Sequence, residues 1–167
     1  SVYKCDARLG VVKEYRLKNN ANSFFQDRDN NLWLLTWNGD ILKYDAGYDC
    51  FMEYARMGNS NLYRMTQDNQ GRYWIVTWGD GIWRFDPTCT EKEQMFHRQS
   101  VINPVRHFPE EVFYDIVQDD TYGYIWALSH FRLYVFRVNG QQELEEVDIN
   151  TIKNINPVSY THLTLPT

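Results

Sequence analysis

Three segments of this sequence put rings beside polar groups on turn-forming residues: Trp37-Asn38-Gly39-Asp40, Trp78-Gly79-Asp80-Gly81 and His130-Phe131-Arg132. Aromatic faces stack on the C–H faces of pyranose rings, while carboxylates, amides and guanidinium groups engage hydroxyls in paired hydrogen bonds. Adding Arg64, Arg106 and His107 gives the candidate ligand-binding set of Trp37, Asp40, Arg64, Trp78, Asp80, Arg106, His107, His130 and Arg132. The ligand such a set suits is a glycan or oligosaccharide, and Arg64, Arg106 and Arg132 would favour an acidic one. A packing alternative stays open for Trp37 and Trp78, which follow a threonine in successive copies of a repeat and could fill space between sheets while reaching the surface. His107 and His130 lack companion ligands of metal type and read as loop or rim histidines. No metal or cofactor is expected, and no pair of carboxylates is placed for acid–base catalysis.

Composition narrows the classes. Aromatic residues make up 16% of the 167 residues and six are tryptophan, yet mean hydropathy is −0.59. Apolar mass is therefore concentrated in large rings within a polar frame, as in short strands with two different faces. The net charge of −5 and scattered Lys and Arg exclude a nucleic-acid footprint. No run of about 18 apolar residues is present, so no membrane span is expected in this stretch. Cys5, Cys50 and Cys89 are odd in number and lack metal spacing; a bridge between Cys50 and Cys89 is conceivable, and free thiols are the commoner case.

The elements that must carry these residues repeat. Residues 61–87 read as three short strands, Leu62 to Gln67, Tyr73 to Thr77 and Ile82 to Phe85, joined by Asp68-Asn69-Gln70-Gly71 and Trp78-Gly79-Asp80-Gly81. Residues 22–45 repeat them: Gln26-Asp27, Trp33, Thr36-Trp37 and Asp45 match Gln67-Asp68, Trp74, Thr77-Trp78 and Asp86 at an offset of 41. A looser copy at 112–137 carries Gln118-Asp119, Gly123, Trp126 and Ser129-His130, offset by 51 to 52. VYKCD at 2–6 matches ILKYD and IWRFD, so the chain is expected to open inside an earlier copy.

Adding outer strands at Phe51 to Ala55 and Gln94 to His97 gives four antiparallel strands in about 40 residues, the signature of a propeller blade. The expected fold is all-β: a partial β-propeller over 1–156, with about three and a half four-stranded antiparallel blades. The expected division is a blade end at 1–21, blades at 22–60, 61–111 and 112–149, and the start of another at 150–156. Residues 99–111 read as an inserted loop with two prolines. Trp33, Trp74 and Trp126 are expected to pack between blades, with Gly71, Gly81 and Gly123 serving backbone turns. Residues 157–167 read as a translated frame of a transposon-based sequencing adaptor, hence as a non-native tail on a truncated fragment.

The pattern Q-D-x-x-G-x-x-W-x-x-T-x-x-G-x-x-x-x-D resembles the two-component regulator propeller repeat. It is matched best at 61–87 and well at 22–45; at 112–137 Ser129 replaces the threonine and the second-turn glycine is lost. The resemblance implies the periplasmic sensor region of a membrane-anchored, homodimeric hybrid two-component protein whose phosphorelay starts at a cytoplasmic histidine kinase, often one that controls glycan use. This stretch itself is not expected to be an enzyme: the kinase reaction needs a phospho-accepting histidine on a helical bundle, whereas His97, His107 and His130 sit on strands or loops and His162 in the tail. Two alternatives from other classes are a propeller enzyme (polysaccharide lyase, glycosidase or streptogramin-lyase-like) and a protein-binding scaffold.

Overall fold

The computed structural model describes residues 1–99 and 111–152. Fourteen strands lie in these residues: β1 (Val2–Cys5), β2 (Val11–Tyr15), β3 (Ala21–Gln26), β4 (Leu32–Thr36), β5 (Asp40–Asp45), β6 (Cys50–Arg56), β7 (Leu62–Gln67), β8 (Tyr73–Thr77), β9 (Ile82–Phe85), β10 (Phe96–Arg98), β11 (Phe113–Gln118), β12 (Ile125–Ser129), β13 (Leu133–Val138) and β14 (Leu144–Glu146). They form one two-stranded sheet and three four-stranded antiparallel meanders, β3 to β6, β7 to β10 and β11 to β14. The architecture is an all-β partial propeller of three full blades and part of another. Arg106 and His107, and residues 153–167 with the adaptor-like tail, lie outside the described residues.

Two local readings change. The strand expected at Gln94 to His97 is a 3-10 turn at Lys92–Gln94 followed by β10, which starts two residues later. The segment expected to begin a further blade opens with a 3-10 turn at Ile149–Thr151, where the Asp148 carboxylate accepts from the Asn150 amide at 2.9 Å.

One aspartate explains the first turn of every blade. Asp68 Oδ1 accepts the backbone N–H of Gln70 (2.9 Å) and Arg72 (3.0 Å), closing an Asx turn, and its Oδ2 accepts the Trp74 indole N–H at 2.9 Å. Asp27 repeats this with the amides of Asp29 and Asn31 and with Trp33 Nε1 at 2.8 Å. Asp119 accepts the Thr121 amide at 2.8 Å in the third copy. A buried indole needs an acceptor for its N–H, so the Gln-Asp and Trp of the repeat are one device: the acid shapes the turn and satisfies the ring.

The rings then fill the space between blades. Trp33, Trp74 and Trp126 each stand second on the second strand of their blade and are 2%, 0% and 9% exposed. Trp33 meets Tyr73 and Phe85 of the next blade edge-on, at 5.8 and 5.9 Å. Trp74 clusters with Phe113, Ile116, Ile125 and Phe136 of the blade after it. Polar bonds tie the inner strands together: Ser23 Oγ donates to the Tyr63 carbonyl (2.7 Å), and Gln67 Oε1 accepts the Arg28 amide (2.9 Å). The two-stranded sheet is clamped through Asp49, whose carboxylate accepts from Lys13 Nζ (2.9 Å), Tyr15 Oη (2.7 Å) and Tyr44 Oη (2.6 Å). The hydrogen bonds from Tyr44, Lys13 and Tyr15 hold that carboxyl well below the usual carboxylate range.

Candidate functional site: an aromatic rim

The second turns, β4–β5, β8–β9 and β12–β13, all emerge where the inner strands begin. Backbone bonds fix this: Trp37 donates to the Asn20 carbonyl (3.1 Å), Trp78 to Asn61 (2.9 Å) and His130 to Val112 (2.9 Å). A hydroxyl shapes each turn. Thr36 Oγ1 accepts the Asp40 amide (2.9 Å), Thr77 Oγ1 accepts that of Asp80 (2.9 Å), and Ser129 Oγ accepts those of Phe131 and Arg132 (both 3.1 Å). Serine therefore replaces threonine in the third copy without loss of the turn.

The inner strands contribute through a shared irregularity. The register against the second strand slips between Ala21 and Ser23, between Leu62 and Arg64, and between Phe113 and Asp115. The residues left over are Asn22, Tyr63 and Tyr114, the second residue of each inner strand. A bulge frees one residue from the ladder and re-aims its side chain. In blades two and three that side chain is a tyrosine, and it meets the turn rings.

The result is a continuous run of rings across three blades. Trp37 meets Tyr63 at 5.8 Å and 71°; Tyr63 meets Trp78 at 5.5 Å and 46°; Trp78 meets Tyr114 at 5.5 Å and 79°. Trp37 and Trp78 also touch directly at 5.9 Å. Tyr114 reaches His130, its hydroxyl 3.1 Å from Nδ1, and His130 meets Phe131 at 5.1 Å. Arg64 lies over Tyr63 at 5.1 Å and donates to its carbonyl at 3.1 Å. Trp37 and Trp78 each rest on the bulge tyrosine of the following blade and His130 on that of its own, so the rim packs and presents at once: Trp78 is 41% exposed and Phe131 76%.

The candidate residues thus divide. Trp37, Arg64, Trp78 and His130 are brought together. Asp40 is a correction: it is 4% exposed, and its carboxylate is held by Arg56 Nη1 (2.9 Å), Thr36 Oγ1 and the Asn19 amide, so it braces its turn. Asp80 is occupied in the same way by Arg98 (2.7 Å) and Ser60 (2.6 Å). Arg132 is stacked 3.9 Å over Tyr134 and paired with Glu146 at 2.8 Å, which commits it to blade three. Burial, with a hydrogen bond to Glu111, pushes the Tyr134 phenol up to about 12. Gly71, Gly81 and Gly123 take φ of +82°, +70° and +74°. Cys5, Cys50 and Cys89 are free thiols.

The binding set read from the sequence did not include Tyr63, Tyr114 or Phe131. A signal for the tyrosines was present: they are 51 residues apart, the offset that relates Gln67 to Gln118. Asn22 at the first-copy position interrupts the pattern, and a bulge leaves no mark in strand alternation.

Residues 16–38 match the family model described as Two component regulator propeller. A search of curated proteins finds no match. Among solved structures the chain is similar to the extracellular domain of a putative hybrid two component system from B. thetaiotaomicron, at a TM-score of 0.62 and 18% identity, covering 91% of this chain and 23% of that one. It is also similar to virginiamycin B lyase from Staphylococcus aureus, at 0.60 and 15%, covering 87% of this chain and 47% of that one. The chain therefore spans under half the length of either, and these likenesses establish the propeller fold. The first complete blade carries the two-component regulator propeller repeat, as the motif indicated. Among the described residues, no helix is long and apolar enough to cross a membrane.

Proposed function

We propose that this chain is the extracytoplasmic ligand-sensing module of a two-component signal transduction protein, and that it reads a glycan along the rim from Trp37 to Phe131. The observation that carries the reading is the ring run itself. Five contacts in series, built from turn residues and bulge tyrosines of three blades, leave Trp78, His130 and Phe131 exposed. Exposed rings with a rigid backing are what a pyranose C–H face stacks on, and Arg64, Asn22 and the Tyr114 hydroxyl add polar groups beside them. The repeat at 16–38 supports a sensor role, and the extracellular neighbour supports the location. In a homodimeric parent, binding that differs between two packings of the propeller would shift their populations and so bias a distant histidine kinase.

Binding is favoured over catalysis by the state of the rim carboxylates. Asp40, Asp80 and Glu146 are each spent in an ion pair at 2.7 to 2.9 Å, which leaves none of the three poised to transfer protons. The test is an immobilised array of neutral and acidic oligosaccharides probed with the chain, with Trp78→Ala and Phe131→Ala alongside. Selective binding that falls at least tenfold in both variants is expected; an array that captures nothing, or captures the variants equally, refutes the rim.

A further inference from the structure

The opposite end of the first two blades carries a second feature, independent of the rim. A cleft of roughly 470 Å³ opens among the β3–β4 turn, the β7–β8 turn and the loop after β9. Its charged lining is Lys43, Arg72 and Arg84 against Asp29 and Asp86.

The partners of these groups single out two of them. Arg72 is already bound to Asp68 at 2.6 Å, and Asp86 Oδ1 takes both the amide and the hydroxyl of Thr88, at 2.9 and 2.6 Å. Lys43 and Arg84 make no ion pair within 4 Å among the described residues; hydrogen bonds from Thr88 and, at longer range, the charge of Arg84 hold the Asp86 carboxyl below its usual range. Lys43 lies 5.3 Å from the Trp33 ring and 6.0 Å from that of Tyr54. Arg84 Nε is buried with no hydrogen-bond partner. The two cations occupy one repeat position: Lys43 is the cross-strand partner of Trp33, and Arg84 of Trp74.

A donor removed from water and left without an acceptor favours an incoming one, because desolvation has already occurred. The planar fork of Arg84 suits a carboxylate, and the compact charge of Lys43 adds a second anchor. Tyr54, 39% exposed with its hydroxyl fixed to the Pro87 carbonyl at 2.7 Å, offers an apolar wall for a carbon body. We propose that this cleft is a binding site for a small organic polycarboxylate, held by Arg84 and Lys43.

The probe is citrate, titrated calorimetrically into the chain at low ionic strength, with inorganic sulfate as comparator. Citrate is expected to bind, to lose at least tenfold in affinity in Arg84→Gln and in Lys43→Met, and to bind Trp78→Ala as it does the parent chain. Should Arg84→Gln fail to fold, as judged by circular dichroism, Lys43→Met carries the test, since methionine keeps an apolar stem over Trp33. Absence of citrate binding, undiminished binding in Lys43→Met, or sulfate binding as tightly as citrate would each overturn the assignment. Failure here leaves the rim reading untouched, because the array measurement uses the other end of the blades.

Discussion

Trp33, Trp74 and Trp126 and the rim residues Trp37, Trp78 and His130 stand four residues apart in the same three repeats, yet they follow different rules. At the inner position the same ring recurs, buried to 9% exposure or less, its N–H taken in the first two copies by the aspartate of its own turn. At the rim the third copy changes to histidine, and its neighbour Phe131 is left 76% exposed. Inter-blade packing admits one solution, so the inner residue is fixed by volume and by one hydrogen bond. The rim position is anchored from within the rim, by bulge tyrosines and neighbouring turn rings, and its outer face is free to vary with what it meets.

That contrast can be broken in order of expected effect. Trp74→Ala should cost about 3 to 5 kcal/mol in urea denaturation, because it empties a closed space between blades two and three; a loss below about 1 kcal/mol would remove this ring from the core. Asp68→Ala should cost about 3 kcal/mol, since it strands the Trp74 N–H and the Arg72 charge together. The Asp68→Ala, Trp74→Phe double variant, measured the same way, should lose less than the sum of the singles, because the two residues share one bond.

The rim turns offer a finer comparison. Gly39 and Gly79 both have positive φ, +87° and +91°, but a Cβ on Gly39 would lie 2.7 Å from the Gly58 carbonyl oxygen, whereas one on Gly79 meets nothing within 4 Å. Gly39→Ala should therefore cost about 3 kcal/mol and Gly79→Ala about 1 kcal/mol by thermal melting; equal costs would mean that backbone strain alone governs both turns.

Acid should act on the inner device. Burial works to raise the Asp27 pKa, but hydrogen bonds from Trp33, Asn31 and Tyr73 outweigh it and hold the folded value below the ordinary one. The unfolded chain then takes up the proton first as pH falls, so stability present above about pH 4 is lost below it. Asp27→Asn should flatten that part of the stability–pH curve; an unchanged slope would show that Asp27 is not the group responsible.

Much of this was legible in the sequence. The 41-residue offset located the strands, and the strands β7 to β9 fall on the residues the turn chemistry marked, because Asp68-Asn69-Gln70-Gly71 and Trp78-Gly79-Asp80-Gly81 punctuate them at both ends. The fate of Asp40, Asp80 and Arg132 was not legible, since each pairs with a residue on the outer strand of its own blade, and which charge lies opposite depends on register. Tyr63 and Tyr114 joined the rim only through the bulges, a property of backbone pairing that the residue pattern does not carry.

The claim that position in the repeat, and not ring type, sets the role of a tryptophan is tested most directly by urea denaturation of Trp78→Ala. With its ring 41% exposed and held by edge contacts to Trp37 and Tyr114 and a tilted one to Tyr63, the variant should lose about 1 to 2 kcal/mol. A loss matching the 3 to 5 kcal/mol or so expected for Trp74→Ala would make Trp78 a core residue and contradict the account.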